Sequence, residues 1–235
     1  MTTVSLVLGS GGARGMAHIG VIQELEARGY QIKSVTGCSI GSLIGGVYAA
    51  GKLAIFEEWI RKITPSEMMS LLDPTLERGG LVKGEKIIAS LIELVGDEQI
   101  ENLAIPFTAL AADVRNEKEV WINSGSLFDA IRASISLPLF FTPVPYNGSY
   151  LIDGGVLNPV PIAPTFRDNT DVTLAVNLGG VMEHQAEESE AGSAVSEQDG
   201  ARESALYLKV KKYVDQLLSS SSADNSTDWG MYEVA

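Results

Sequence analysis

Cysteine is almost missing from this sequence, which holds Cys38 alone. One thiol forms no intrachain disulfide and no cysteine cage around a metal, so we expect a reducing, cytoplasmic location. The sequence also lacks any run of about 18 apolar residues, which argues against a membrane-spanning helix. No basic segment followed by an apolar one stands at the N-terminus, so a secretory signal is not predicted.

Basic residues are scarce as well, because 17 Lys and Arg stand against 30 Asp and Glu, a formal net charge of −13. Nucleic acid is therefore not expected as a partner, since its phosphates attract a basic surface. Much of the excess lies in residues 183–203, where seven acidic side chains accompany a single arginine. This segment has few bulky apolar residues, which predicts an acidic, mobile loop.

Alternation of strands and helices is the main pattern along the 235 residues. We predict strands at residues 4–8, 32–36, 107–114, 118–122, 150–152 and 171–178, and helices at 16–28, 42–50, 53–63, 84–95, 127–134 and 204–218. Strand–turn–helix units at the start of the chain are typical of a parallel sheet covered by helices. The length suits one α/β domain, residues 1–235. The end, from Trp229 onward, resembles a helix cut short, which indicates a longer natural chain.

Residues 37–41, Gly-Cys-Ser-Ile-Gly, match the pattern G-x-S-x-G between a predicted strand and a predicted helix. In that context a sharp turn lifts the hydroxyl of Ser39 off the sheet edge, and Gly37 and Gly41 remove side chains that would clash. The pattern therefore favours a nucleophilic serine over a purely structural turn. We interpret Cys38, inside the motif, as a small core residue.

Residues 9–15 form a glycine-rich loop between a predicted strand and a predicted helix, and its free backbone N–H groups would bind negative charge. That charge is either a nucleotide phosphate or the oxyanion of a tetrahedral intermediate. The dinucleotide pattern G-x-G-x-x-G fails because Arg14 takes its sixth position, and the P-loop pattern fails because no Gly-Lys-Ser/Thr follows. The oxyanion interpretation is therefore favoured.

Asp153 begins an Asp-Gly-Gly turn directly after a predicted strand, which is where α/β sheets build their sites. Taken alone, Asp-Gly is also a common turn. Only two histidines are available: His184 falls in the acidic segment, and His18 is interpreted as a packing residue of the first predicted helix. If Ser39 is a nucleophile, a carboxylate is the remaining candidate to accept its proton.

Three segments follow one another along the chain: a G-G-x-R-G loop at residues 11–15, the G-x-S-x-G motif and the D-G-G turn. Residues 133–138 (Ala-Ser-Ile-Ser-Leu-Pro) and 158–161 (Asn-Pro-Val-Pro) lie beside them. Together, over residues 4–178, these segments resemble the patatin-like phospholipases, in particular small bacterial members and the catalytic domain of neuropathy target esterase.

The resemblance implies a three-layer α/β/α sandwich with a mainly parallel central sheet, and a serine lipid acyl hydrolase that needs no metal or other cofactor. It implies that Ser39 is the nucleophile and Asp153 its base. The implied oxyanion donors are the backbone N–H groups of Gly11, Gly12, Ala13 and Arg14. The Arg14 side chain either bonds loop carbonyls, the role we favour, or meets a phospholipid phosphate. The expected partner is a lipid or acyl-ester substrate, with transient contact to a membrane surface; a homo-oligomer stays open.

Other functions fit the same residues. A generic carboxylesterase or thioesterase would use the same serine and carboxylate with a smaller pocket. A non-catalytic anion- or nucleotide-binding regulatory module would use the glycine-rich loop alone. A catalytically silent interaction protein would use the acidic segment at residues 183–203.

Overall fold

The computed structural model describes residues 1–71, 82, 84–113 and 115–180. The chain consists of two compact units, Met1–Leu178 and Gly179–Ala235. Nearly all described residues belong to the first unit. The acidic segment at 183–203, the helix predicted at 204–218 and the end of the predicted single domain lie outside the described residues.

Strands and helices alternate through the described chain. The strands are β1 (Thr3–Leu8), β2 (Gln31–Cys38), β3 (Phe107–Asp113), β4 (Lys118–Ile122), β5 (Val144–Tyr146), β6 (Ser149–Asp153) and β7 (Val172–Val176). The α-helices are α1 (Ala17–Ala27), α2 (Ile40–Ala49), α3 (Leu53–Lys62), α4 (Pro65–Leu71), α5 (Glu85–Val95) and α6 (Leu127–Ser134). Short 3-10 helices cover Gly12–Met16, Ile100–Asn102, Gly154–Val156 and Ala163–Arg167. Each element predicted before residue 180 is present with ends that differ by at most two residues, while α4 and β5 are additional.

The sheet has a parallel centre, because β7 pairs with β1, β1 with β2 and β2 with β3 in parallel. This confirms the predicted α/β class of the fold. Three further pairings are antiparallel: β4 and β6 each pair with β3, and β5 pairs with β6.

Strands β2 and β6 share one edge of β3. The other edge is occupied by β4, which pairs with residues 109–113 of β3. The last residue of β2, Cys38, lies opposite Leu110 of β3, and the last residue of β6, Asp153, lies opposite Ala111. β6 runs against the direction of β2. The C-terminal ends of the two strands therefore meet head to head at consecutive positions of β3.

The main hydrophobic core lies between the helices and one face of the sheet. Leu8, Val35 and Phe107 contribute to it from three adjacent strands. Helix α2 approaches this face so closely that a Cβ on Gly45 would lie 2.7 Å from Cγ1 of Val35. The hydrophobic effect and close packing thus fix α2, and with it the turn that precedes it, to the end of β2.

The opposite face of the sheet is covered by the chain that follows β6. Ser5 of β1 and Ser34 of β2, which alternate with core residues, both donate hydrogen bonds to Asp168, just beyond the last 3-10 helix. At β1 and β2 the sheet is therefore covered on both faces. Among the helices in the described ranges, none has the length and apolar character needed to cross a membrane.

Candidate active site

Ser39 lies at the turn between β2 and α2, with backbone angles φ 55° and ψ −125°. L-residues rarely adopt a positive φ, and holding one there costs on the order of 1–3 kcal/mol. A Cβ on Gly37 would lie 2.5 Å from the carbonyl oxygen of Gly41, and a Cβ on Gly41 would overlap the carbonyl oxygen of Leu8. The turn, which we call the elbow (residues 37–41), is therefore possible only with both glycines.

The hydroxyl of Ser39 donates a hydrogen bond of 2.5 Å to Oδ2 of Asp153. The other carboxylate oxygen, Oδ1, accepts the backbone N–H of Gly155 at 2.7 Å. The structure thus brings together the two residues that the sequence analysis singled out, although 114 positions separate them. The head-to-head meeting of β2 and β6 is what makes this pair, here called the dyad, possible.

Asp153 is only 3% exposed. Burial raises the pKa of its carboxyl group to about 6, while the hydrogen bonds from Ser39 and Gly155 act in the opposite direction. At neutral pH the carboxylate is therefore mostly ionised, and it is a stronger base than a solvated aspartate, whose pKa is about 3.9. Such a group accepts a proton from an adjacent hydroxyl more readily than an exposed carboxylate does.

The glycine-rich loop (residues 9–15) lies beside the dyad. Gly15 packs against the side chain of Ile40, next to Ser39, and a Cβ on Gly155 would lie 3.0 Å from Oγ of Ser10. The start of the loop is fixed by two backbone hydrogen bonds, from Gly9 to Val176 O and from Ser10 to Pro159 O.

Three successive N–H groups of this loop, those of Gly11, Gly12 and Ala13, make no backbone hydrogen bond within the described residues. They precede and open a 3-10 helix, so helix geometry gives them no partner. The N–H of Arg14 differs, because it donates to Gly11 O at 3.2 Å. Of the four predicted oxyanion donors, three N–H groups therefore lack a backbone partner among the described residues.

The side chain of Arg14 is exposed. Across the part of the chain that the structure describes, its guanidinium makes no hydrogen bond to a loop carbonyl, so the loop-shaping contact that we favoured is not seen there. The loop is held by another side chain: Nε2 of the fully buried His18 donates to Gly9 O at 2.8 Å. Burial lowers the pKa of His18 and so favours the neutral imidazole. The hydrogen bond to Gly9 raises this pKa, but by less.

Cys38 is fully buried, and burial, with a smaller effect of Asp153, raises the pKa of its thiol. A buried neutral thiol is a poor nucleophile, which agrees with the core interpretation. In the described ranges no three His, Cys, Asp or Glu side chains are grouped so that they could hold a metal ion.

Two residues that the sequence analysis assigned no role contact the dyad backbone. The N–H of Ser39 donates to Oγ of Ser134 at 3.0 Å, and the N–H of Asp153 donates to the carbonyl oxygen of Ser136 at 2.9 Å. Both serines are fully buried at the C-terminal end of α6. The signal that could have found them is their place in the segment 133–138, whose resemblance to the family was noted without a function.

Known proteins share this arrangement of segments. The family model of the patatin-like phospholipases matches residues 6–166. The chain belongs to the patatin-like phospholipase family. The match includes the glycine-rich loop, the elbow and Asp153, so the family predicted from these motifs is confirmed.

Individual relatives extend the likeness beyond the motifs. An uncharacterised NTE family protein of Mycobacterium tuberculosis is 47% identical over 191 residues, covering 81% of this chain and 51% of that protein. Patatin-like phospholipase domain-containing protein 6 of Homo sapiens is 34% identical over 184 residues, covering 75% and 13%. Lysophospholipase nte1 of Emericella nidulans is 33% identical over 182 residues, covering 76% and 12%. The chain thus spans about half of the mycobacterial relative and a small part of the other two.

Proposed function

We propose that this patatin-like chain hydrolyses carboxylic esters of lipids, as a phospholipase A or lysophospholipase-like acyl hydrolase. The observation that carries the proposal is the 2.5 Å hydrogen bond from the elbow serine, Ser39, to the buried carboxylate of Asp153. The name of the family and that of the fungal relative, a lysophospholipase, support lipid esters as the substrate class.

In the proposed reaction, Asp153 accepts the proton of Ser39 as the serine oxygen attacks the ester carbonyl carbon. The tetrahedral intermediate collapses, the alcohol leaves with the proton returned by Asp153, and the acyl group stays on Ser39. Water then attacks the acyl-enzyme while Asp153 accepts its proton. When this second tetrahedral intermediate collapses, Asp153 returns the proton to the Ser39 oxygen and the fatty acid is released. No histidine is needed, and no histidine among the described residues hydrogen-bonds either member of the dyad.

The free N–H groups of Gly11, Gly12 and Ala13 are proposed to bind the oxyanion of both intermediates. A carboxylate with a pKa near 6 remains a much weaker base than an alkoxide, so charge stabilisation has to supply much of the rate. Removal of one oxyanion donor typically costs about 2.7–4 kcal/mol of barrier. Three donors on one loop are therefore a large part of the proposed catalysis.

Exposed apolar side chains that closely follow Ser136 in the sequence favour a lipid over a small soluble ester. Leu139 and Phe140 are 36% and 53% exposed, and they follow Ser136, whose carbonyl accepts the N–H of Asp153, by only a few residues. Exposed large apolar residues are typical of surfaces that receive apolar ligands. We propose that they contact the acyl chain of the substrate.

The test is labelling with a fluorophosphonate, followed by intact mass, on wild type, Ser39→Ala and Asp153→Asn. We expect one adduct on wild type that maps to Ser39, none on Ser39→Ala and strongly slowed labelling of Asp153→Asn. Hydrolysis of lysophospholipids and of short-chain esters and thioesters would then separate the lipid hydrolase from a generic carboxylesterase or thioesterase. Absence of an adduct on folded wild type would contradict the hydrolase and favour an anion-binding module.

The pH dependence of labelling tests the role of Asp153 as base. Only the ionised carboxylate accepts a proton, and its pKa is raised to about 6 by burial. The labelling rate should therefore be constant above about pH 7 and fall about tenfold per unit below pH 6, by analogy with other general bases. A rate that stays constant down to pH 4.5 would show that another group, or none, takes the proton.

A further inference from the structure

We propose that residues 134–136, the last residue of α6 and the two that follow it, position both members of the dyad, and that Ser134 is the positioning residue of the nucleophile. This inference rests on the proposed function, since it concerns the same serine. Among the described residues, neither Ser134 nor Ser136 hydrogen-bonds to the Ser39 hydroxyl or the Asp153 carboxylate, so the hydrogen bonds they make to the dyad reach its backbone.

The hydroxyl of Ser134 links the residue after β2 to the middle of β3. It accepts the N–H of Ser39 at 3.0 Å and donates to the carbonyl oxygen of Leu110 at 2.6 Å. Leu110 is the β3 residue opposite Cys38, the last residue of β2. The ladder between β2 and β3 stops at that pair, and one hydroxyl with one donor and free lone pairs satisfies both backbone groups there.

This bridge holds a strained conformation. Ser39 has a positive φ, and such residues persist only when surrounding contacts over-determine them. The elbow glycines permit the turn, but glycines supply no side-chain contact that would hold it. The carbonyl oxygen of Ser39 accepts the N–H groups of Ser42 and Leu43 at the start of α2, and the hydrogen bond to Ser134 fixes the N–H side of the serine backbone.

The same short segment holds the base. The carbonyl oxygen of Ser136 accepts the N–H of Asp153 at 2.9 Å. Ser136 is itself fixed by Arg132, whose Nη1 donates to Oγ of Ser136 at 2.6 Å while that hydroxyl donates to Arg132 O at 2.7 Å. The guanidinium of Arg132 lies 5.4 Å from the ring centroid of Phe141, which restricts it further.

Ser39 and Asp153 are thus tied to positions two residues apart on one buried segment. The strands that carry them approach from opposite directions and share no hydrogen-bonded ladder with each other. Their 2.5 Å contact tolerates little relative displacement. Residues 134–136 supply the common reference that fixes it, which is why we assign a positioning role rather than a packing role to Ser134.

The experiment compares Ser134→Ala with Ser42→Ala. Ser42 is also a fully buried serine close to the elbow, but its hydroxyl has no hydrogen-bond partner among the described residues. Each change removes one buried hydroxyl, yet only the first removes contacts to the backbone of Ser39. We expect Ser134→Ala to lower the fluorophosphonate rate constant and kcat by about tenfold or more, since small misplacements of reacting groups have effects of that order. KM should be unchanged, and Ser42→Ala should react like wild type.

A pH profile separates positioning from simple destabilisation. The hydrogen bond from Ser39 lowers the pKa of Asp153, so loosening it should move the acidic limb of the Ser134→Ala labelling profile to higher pH. A purely structural serine would lower the melting temperature and leave that midpoint and the rate per folded molecule unchanged, which would overturn the inference. If Ser134→Ala fails to fold, Ser134→Cys carries the same comparison, because a thiol of similar shape is a weak donor and acceptor. Wild type that is not labelled at all would instead contradict the proposed function, whereas labelled wild type with an equally fast Ser134→Ala contradicts only the positioning role.

Discussion

The dyad and the glycine-rich loop lie side by side but differ in how their polar groups are used. The backbone N–H groups of Ser39 and Asp153 both donate hydrogen bonds, and the two side chains are hydrogen-bonded to each other. Asp153 is also buried. In the loop, Gly12 and Ala13 are exposed, and their N–H groups lack backbone partners in the described residues. Groups that must meet each other are held in place, whereas groups that would receive the substrate oxyanion are left open, as preorganised catalysis requires.

Gly41 connects the two regions, so its substitution should have the largest effect. A Cβ there would overlap the carbonyl oxygen of Leu8 and lie 2.8 Å from that of Gly9, both backbone atoms that cannot move aside alone. We expect Gly41→Ala to lower the free energy of unfolding by about 3 kcal/mol or more, in line with other overpacked cores. Labelling of Ser39 should fall at least about a hundredfold, because elbow and loop shift together. Urea unfolding and labelling rates measure both effects.

Gly20 provides the matched control. It lies exposed within α1, and a Cβ there meets nothing within 4 Å. Gly20→Ala should raise stability by roughly 0.5–1 kcal/mol, as alanine does in helix interiors, with unchanged labelling. Similar behaviour of the two alanine variants would refute the close approach of the elbow to the loop.

Asp153→Asn should make the protein inactive but more stable at pH 8. The pKa in the folded state is about 6 against the ordinary 3.8 of an aspartate, so the folded protein binds this proton more tightly, and ionised Asp153 destabilises it above pH 6. At 1.36 kcal/mol per unit, removing the charge should raise the free energy of unfolding by about 3 kcal/mol at pH 8. The difference from wild type should shrink as the pH falls from 7 to 4. Urea unfolding at several pH values measures it.

Replacement of Asp113 by asparagine should change the free energy of unfolding in the opposite direction. Asp113 is buried too, but hydrogen bonds from Ser149 and Asn116 outweigh the desolvation and lower its pKa. Asp113→Asn should therefore be less stable than wild type at pH 8, with a gap that narrows in acid. If both asparagine variants were less stable than wild type at pH 8, burial would not dominate at Asp153; if both were more stable, the hydrogen bonds would not dominate at Asp113.

The sequence allowed the elbow to be predicted because its signal is local. Residues 37–41 need glycines on both sides of Ser39, and a strand and a helix flank them. The contact with Asp153 is of another kind. The apolar pattern before Asp153 indicates a strand but not its direction, so the antiparallel entry of β6 beside β3 could not be read from it. Before the structure, the two residues were joined only by setting aside the two histidines and by the family resemblance.

The hydrogen bonds that support the dyad and the loop could not be predicted from the sequence, for a different physical reason. Ser134 bonds a backbone N–H 95 residues away, and no periodicity or composition marks a serine that does so. The carbonyl contact predicted for Arg14 is not seen among the described residues, where the buried His18 donates to the loop carbonyl of Gly9 instead. Such side chain–backbone bonds depend on tertiary packing, which the local sequence does not specify.

The strain at the elbow itself should give the smallest measurable effect. Ser39→Ala and Ser39→Gly both remove the hydroxyl and both leave Asp153 without it, so their difference in stability reports the strain of the positive φ of 55°, reduced by the extra chain entropy of unfolded glycine. Glycine relieves the strain but gains chain entropy when unfolded, so we expect Ser39→Gly to exceed Ser39→Ala in stability by about 1 kcal/mol. At Ser42, within α2, the same pair should have the reverse order by about the same amount, because glycine weakens helix interiors. Urea unfolding of the four variants measures these differences. If the glycine variant is the less stable one at both positions, Ser39 is held without strain. The fixed backbone of the dyad, unlike the open loop beside it, would then cost the fold no stability.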